Sequence, residues 1–600
     1  MTDEFGLNSM MPGRRAVLRG GLLGASGLAA AALIGCKTAP VAKPEAPAAG
    51  ASAGAAAANK PKMLNPAAES INDPALPYPL VIPEEVGTPK KGGTFREGWY
   101  LDFATWDPTK SSSVTSLRVP NDTGDGLLKF KNAGMVNPLK MEVVPNLATS
   151  WETSPDGLTL TFKVTDKAKF HNKAPLNGRA LTAEDIRLVY DRNSKGGVSK
   201  GFFDNVASMT TVNPTTFQVK LKAPQADFLN YPATRELVIY AMELADNGAL
   251  DKNQDAIGTG PWILKSAAKS QSISYVKNPD YWAGPTNLDA YEIRMIPDQA
   301  ARVAAYRAGQ LEYSQTVIRN KKEADAWRQN SPDFHIIWSA AAAAVQGVFA
   351  DINLKNPRWQ DERIRQALYL GLNREKQLQT VGESIGYPYM RSLPWGNVFD
   401  KRPASQAELG PYLKFDPAEA KKLLAAAGQE KIEIEWRVSL AYTTDTAISF
   451  IVDAYKDAGV TIKPNLVDAV QLASQYNTNQ FQDISAGVLI RYTPDNYYKD
   501  MLVTGGSLNR SSLSDPQIDE WAKAQSTEVN PQKRRELLRK IWDQLGTKAY
   551  RPMEQAAALA PAAVWPKYVR NFWGGCSLNA AVCNSDVAQY FNANTTWLDK

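Results

Sequence analysis

The stretch Pro145-Asn146-Leu147-Ala148-Thr149-Ser150-Trp151, then Ser154-Pro155-Asp156-Gly157 and Leu158-Thr159-Leu160-Thr161-Phe162-Lys163-Val164, decides the fold class. Residues 154–157 make a tight turn: proline presets φ, Asp bonds its own backbone and glycine accepts a positive φ. Beyond it Leu158, Leu160, Phe162 and Val164 alternate with Thr159, Thr161 and Lys163. That two-residue period belongs to a strand with one buried face. Further on, Thr182-Ala183-Glu184-Asp185 opens a helix, since Thr182 is placed to accept from the free N–H groups of a first turn. Ile186, Val189 and Tyr190 then share one helical face.

The same mixture continues toward the C-terminus. Asp416-Pro417-Ala418-Glu419 is a helix start with an Asp cap, Pro at the first position and Glu at the third. Ala420, Leu423, Leu424 and Ala427 form its apolar stripe, and Gly428 ends it. Asn530-Pro531 opens another helix, with Leu538, Ile541, Trp542 and Leu545 on its inner face. Strands and helices in such alternation define an α/β protein. No repeat of solenoid or propeller period is present. From about residue 92 the composition is that of ordinary globular protein for roughly 500 residues. One core does not grow that large, so two or three domains are expected.

The N-terminus reads differently. Arg14-Arg15 precedes a Gly/Ala-rich apolar run from Gly20 to Ile34. At about 15 residues it is shorter than the ~20 a spanning helix needs. A basic start, a short apolar middle and small residues at the end describe a secretion signal. Gly13-Arg14-Arg15-Ala16-Val17-Leu18-Arg19 resembles the twin-arginine export motif, departing from it at Gly13 and Val17. Leu33-Ile34-Gly35-Cys36 resembles a lipobox, which implies a diacylated Cys36. Residues 37–91, rich in Ala and Pro, bury too little to offset chain entropy and read as a flexible tether. Its mean reach is roughly 40 Å.

Charge and rare residues exclude several chemistries. The formal charge of +6 is spread over 600 residues without a basic cluster, which does not describe a nucleic-acid binder. Only two histidines occur, His171 and His335, and neither has metal-ligand spacing with a cysteine. No metal, no cofactor and no His-based catalytic triad is expected. Beyond Cys36 the remaining cysteines are Cys576 and Cys583. In an oxidising compartment they are expected to form a disulfide, the other reading being two buried thiols.

Five blocks in order resemble the bacterial extracellular solute-binding proteins of family 5, the peptide/nickel class. The first is the opening stretch together with Phe170-His171 and Leu181-Thr182-Ala183-Glu184-Asp185. Gly258-Thr259-Gly260-Pro261-Trp262 with Asn278-Pro279-Asp280-Tyr281-Trp282 is similar to a second, and residues 363–368 with Asn373-Arg374-Glu375 to a third. The helix after Asp416 and Asp515-Pro516-Gln517-Ile518-Asp519 complete the series. The resemblance spans about residues 92–573. It implies a periplasmic-binding-protein-like clamshell of two lobes. Lobe I would comprise 92–120, 226–345 and 556–600, with an extra domain at 121–225 inserted into it. Lobe II would comprise 346–555. Solute binds between lobes that close about a hinge, and the closed form docks on a permease driven by ATPase subunits. Most of the blocks have architectural roles. Gly258-Thr259-Gly260-Pro261 lacks the Gly-Lys-Ser/Thr end of a phosphate loop and reads as a turn into a strand.

The resemblance also marks candidate solute contacts. After Asp107-Pro108-Thr109-Lys110, the run Ser111-Ser112-Ser113 would offer backbone groups to an extended peptide. Opposite it would lie Gly487-Val488-Leu489-Ile490-Arg491-Tyr492. Peptide-binding members often have Trp directly after this Gly and, four residues after it, an Asp that holds the peptide ammonium. Here Val488 and Arg491 stand at those positions, with Asp495 as a substitute if the loop is shifted. A guanidinium repels an ammonium and suits a carboxylate or sugar hydroxyls. Trp99, Tyr100 and Trp106, and Tyr387, Tyr389 and Trp395, are aromatic clusters that would either stack on solute or pack the core.

The resulting reading is a monomeric lipoprotein, periplasmic or at the cell surface and anchored by its N-terminal lipid, that captures oligopeptides or dipeptides for an ABC importer. A binder of oligosaccharides or another non-peptide solute in the same fold is the alternative, favoured by Val488, Arg491 and the 15 tryptophans. A nickel chelate as solute and a sensory receptor as partner stay open. A secreted hydrolase would need a nucleophile–base or carboxylate pair in a motif, and none has specific spacing.

Overall fold

The computed structural model describes residues 62–63, 87–100, 102–111, 113–131, 142–314, 318, 321–338, 349–381, 385–387, 398, 410–440, 443–487, 493–551, 557–558, 561–572 and 593–600. In the first lobe the Thr94–Trp99 strand lies between Tyr313–Ser314 and Ala290–Met295, parallel to both. The sheet continues antiparallel through Ser272–Lys277 and Trp262–Ala268. Phe95, Ile273, Tyr275, Tyr291 and Ile293 are buried on these strands. The Val114–Thr123 helix is tied to this sheet by a buried ion cluster. Arg118 reaches Glu97 at 2.8 Å and Asp122 at 3.0 Å.

A second, antiparallel sheet holds the opening sequence stretch. Its strands run in the order Ala148–Thr153, Thr159–Val164, Thr216–Leu221 and Val206–Asn213. Leu160, Phe162 and Val164 are buried while the residues between them are not, as the alternation requires. Thr182 and Asp185 complete the capping box of the Ala183–Lys195 helix, and Ile186, Val189 and Tyr190 face inward.

The glycine-rich turn and its neighbours join these two parts. A Cβ at Gly258 would stand 2.4 Å from the Thr123 carbonyl oxygen, so only glycine permits this backbone approach. His171 accepts no charge here: burial pushes its pKa down to about 4, and its Nε2 bonds the Gly260 carbonyl at 3.0 Å. Asp125 receives Thr259 Oγ1 at 2.8 Å, Trp282 Nε1 at 2.9 Å and Tyr281 Oη at 3.2 Å. Both parts of the second family-like block, 258–262 and 278–282, therefore meet on one buried carboxylate that lies at least 134 residues before the side chains donating to it. Their role is architectural, and residues 258–261 lead directly into the Trp262–Ala268 strand.

The second lobe is built on a sheet ordered Phe349–Ile352, Ile484–Gly487, Ile432–Val438 and Val460–Leu466. The last three are mutually parallel, and Phe349–Ile352 is antiparallel to Ile484–Gly487. Its helices start where their caps predict. Asp416 accepts from Glu419 N in front of Pro417–Ala426, and Asn530 from Gln532 N and Lys533 N in front of Pro531–Thr547.

Two hydrophobic cores stay separate. One runs from Phe95 to Leu598 and includes residues of the four-stranded antiparallel sheet; the other runs from Ala350 to Ala549. A smaller cluster around Tyr306, Trp327 and Val564 flanks the first. The Phe334–Trp338 and Pro561–Pro566 strands pair antiparallel. Inside residues 37–91, Lys62–Met63 pairs parallel with the Ile385–Tyr387 strand, and Lys90 ion-pairs with Asp599 at 2.7 Å. No helix among the described residues is long and apolar enough to cross a membrane.

Candidate functional site

In open α/β sheets, solute sites form in the crevice outside the carboxyl ends of the strands. In the first lobe that edge carries Trp99, Met295 and Ser314. In the second it carries Val438, Leu466 and Gly487, with Phe349 paired to Gly487. The chain arriving from Trp338 thus enters the second lobe at this carboxyl edge. Both segments marked in the sequence come after these edges along the chain: Ser111 and Ser113 about a dozen residues after Trp99, and residues 488–492 next after Gly487.

The first-lobe loop is held firmly from behind. Asp107 is buried and accepts from Arg192 through both terminal nitrogens, at 2.7 and 2.5 Å. It also accepts from Thr109 N and Oγ1. Burial works to raise the Asp107 pKa, but the bonds from Arg192 and Thr109 outweigh it and hold the carboxyl below its ordinary value. Val198 N donates to the Thr109 carbonyl at 3.0 Å, and Lys110 pairs with Asp251 at 2.7 Å. Ser111 is half-buried and Ser113 exposed at the head of the Val114–Thr123 helix. Ser113 N donates to Ser111 Oγ, and the Ser113 and Thr115 hydroxyls lie 2.9 Å apart. Behind them a cavity of about 10 Å³ is lined by Trp99, Phe103, Thr115, Arg118 and Met295, room for about one water.

The second-lobe segment is fixed at both ends. Tyr476 crosses the face of Gly487 and donates to Asp351, which pairs with Arg551 at 3.1 Å. Arg551 in turn donates to Tyr497 Oη at 2.8 Å. At the far end Asp495 is fully buried. Its carboxylate accepts from Tyr231 Oη at 2.6 Å, Gln225 Nε2 at 2.9 Å and Gln525 Nε2 at 3.2 Å. A carboxylate sealed among protein donors has no access to a solute ammonium, so Asp495 does not fill the substitute role considered for it.

The remaining sequence candidates divide. Trp99 and Trp106 are buried in the first core beside Phe103, and Tyr100 stacks on Trp99 beneath Arg302. These aromatics pack structure. Ser112, Tyr389, Trp395, Val488, Leu489, Arg491 and Tyr492 lie outside the described residues, as do Cys36, Cys576 and Cys583; Tyr387 is described only as backbone. Among the described residues no group of three or more His, Cys, Asp or Glu side chains is placed to hold a metal ion. The buried network around Asp495 escaped sequence reading, because nothing in Pro494-Asp495 distinguishes it from a solvated helix start.

The model of the bacterial extracellular solute-binding proteins, family 5, matches residues 142–510. The chain belongs to this family, whose members are binding proteins of transport systems and not enzymes. A putative ABC transporter peptide-binding protein of Brucella ovis is 26% identical over 416 residues, covering 65% of this chain and 75% of that protein. The periplasmic binding protein DppA of Helicobacter pylori, solved with the peptide STSA, has TM-score 0.70 at 20% identity, over 85% of this chain and 99% of its own. MoaA of A. tumefaciens R10, solved with mannopinic acid, also has TM-score 0.70 at 20% identity, over 85% and 100% of the two chains. At such identities these structures establish the fold, and the fold is two-lobed α/β.

Proposed function

We propose that this protein is the substrate-binding lipoprotein of an ABC importer, capturing oligopeptides or dipeptides between its lobes and delivering them to a permease served by ATPase subunits. The observation that carries this is positional. Two sequence-marked segments, after Trp99 and after Gly487, come after the carboxyl edges of the two lobe sheets along the chain, where solute sites form. The peptide-binding name of the Brucella relative supports the solute class. The extra domain falls at about 121–225, lobe I at 92–120, 226–345 and 556–600, and lobe II at 346–555. Calorimetric titration with a free tripeptide mixture, N-acetylated tripeptides and oligosaccharides tests the solute. Free and acetylated peptides are expected to bind alike, because in sequence Arg491 stands where peptide-binding members carry the ammonium-holding Asp; a tenfold loss on acetylation, about 1.4 kcal/mol, contradicts that.

A non-peptide solute is the second reading. It is favoured by Arg491 and by Asp495 being closed to solute, and binding of an oligosaccharide with no peptide response would establish it. Anchoring through Cys36 after twin-arginine export, and a Cys576–Cys583 disulfide, complete the proposal. Cys36→Ser is expected to release the protein from the membrane fraction outside the cytoplasm, and full membrane retention contradicts the anchor.

A further inference from the structure

The lobes meet where the Pro531–Thr547 helix of the second approaches residues 226–231 of the first. Arg534 lies in the first turn of this helix. At 1.5 Å per residue, Arg534 stands about 20 Å along this helix from its C-terminal end. There Arg534 clamps Asp227 of the first lobe, Nη1 to Oδ1 at 2.7 Å and Nη2 to Oδ2 at 2.5 Å. Asp227 Oδ2 also accepts from Asp495 N at 3.1 Å. The Asp495 carboxylate, in return, takes its bonds from Tyr231 of the first lobe, Gln225 at the end of the extra domain and Gln525 of the second lobe.

We propose that Asp227 and Tyr231 on one lobe, with Asp495 and Arg534 on the other, form a bolt that keeps the lobes together without solute. Three features carry this. The bolt joins segments packed into separate cores, Phe228 and Tyr231 into the first and Tyr497, Ala522 and Leu538 into the second, so it is not internal packing of either lobe. It contains two carboxylates against one guanidinium, and three neutral donors spread the excess negative charge, so no solute group is needed to complete it. It also satisfies backbone groups that helix ends leave without partners. Asp495 N belongs to the first turn of Pro494–Met501 and donates to Asp227; the Ser526 carbonyl, at the end of Pro516–Thr527, accepts from Ala226 N at 3.0 Å.

Removing Arg534 leaves Asp227 buried without its counter-charge, a state relieved by parting the seam and letting water in.

Amide hydrogen exchange tests the bolt without any solute. The two reporters are Asp495 N and Ala226 N, because each donates only across the seam. In the mature protein stripped of solute, both are expected to exchange slowly. In Arg534→Ala both are expected to exchange at least tenfold faster, with amides of the Glu362–Gly371 helix unchanged and Arg534→Lys intermediate. Should Arg534→Ala fail to fold, seen as fast exchange throughout Glu362–Gly371, Tyr231→Phe carries the same test with the same two outcomes. Reporters that already exchange rapidly in the stripped protein, or that keep their rate in the variant, overturn the proposal. A tripeptide mixture that fails to bind would contradict the solute reading and leave this result standing.

Discussion

Gly487 and Tyr476 exclude any side chain at 487: a Cβ there would stand 2.3 Å from Tyr476 Cζ. The ring lies flat against the end of the second-lobe sheet and points its hydroxyl into Asp351. Both residues are buried, so neither has room to retreat.

Gly487→Ala is therefore expected to displace Tyr476 and to destabilise the protein by about 1–3 kcal/mol, the usual cost of overpacking a core. Tyr476→Phe keeps the ring and loses only the bond to Asp351, so its cost is expected to be smaller. Urea unfolding of both variants checks the order; a Gly487→Ala midpoint equal to that of the parent contradicts the contact.

Arg192 and Asp107 fix the loop that presents Ser111 and Ser113. The Asp107 side chain is only 2% exposed and Arg192 25%, so removing the arginine strands a buried carboxylate next to partial solvent. Arg192→Met is expected to cost about 2–3 kcal/mol, below the 3–5 of a fully enclosed pair. Because the Asp107 pKa is lowered in the folded state, this stability is present above its unfolded value and is lost as pH falls through the folded one. Parent and variant are thus expected to converge in acid, read as unfolding midpoints against pH.

Glu97 and Asp122 give the opposite sign. Burial raises both, against the pull of Arg118, which cannot neutralise two carboxylates; each is pushed up to about 7. The folded state then binds more protons than the unfolded one between the ordinary carboxylate range and about 7. Stability contributed by this cluster is complete only below the ordinary carboxylate range and falls as pH rises through that window. Glu97→Gln, which needs no proton, is expected to flatten the decline between about pH 5 and 7. An unchanged slope in unfolding free energy across that range contradicts the assignment.

Much of the fold was legible because its signals are local. The alternation at Leu160, Phe162 and Val164, and the caps at Thr182, Asp416 and Asn530, each depend on neighbours within a few residues, and each appears where expected. The site was legible only as far as resemblance reached. Gly487 answers to Tyr476 and Phe349, and Asp495 to Tyr231, 264 residues away. Periodicity carries no trace of such partners: a buried Asp in a first helical turn has the same sequence neighbourhood as an exposed cap. Trp99 and Trp106 show the converse. Aromatics near a cleft-facing segment read equally as solute platforms or as core, and burial decides for core.

The central claim is that the lobes enclose a peptide. Native mass spectrometry of the exported protein, purified without denaturation and then activated to release its solute, tests it most directly. The account predicts an adduct whose released ions fragment as one or more short peptides. Release of a saccharide or another non-peptide solute, with no peptide ions at any activation energy, would contradict it.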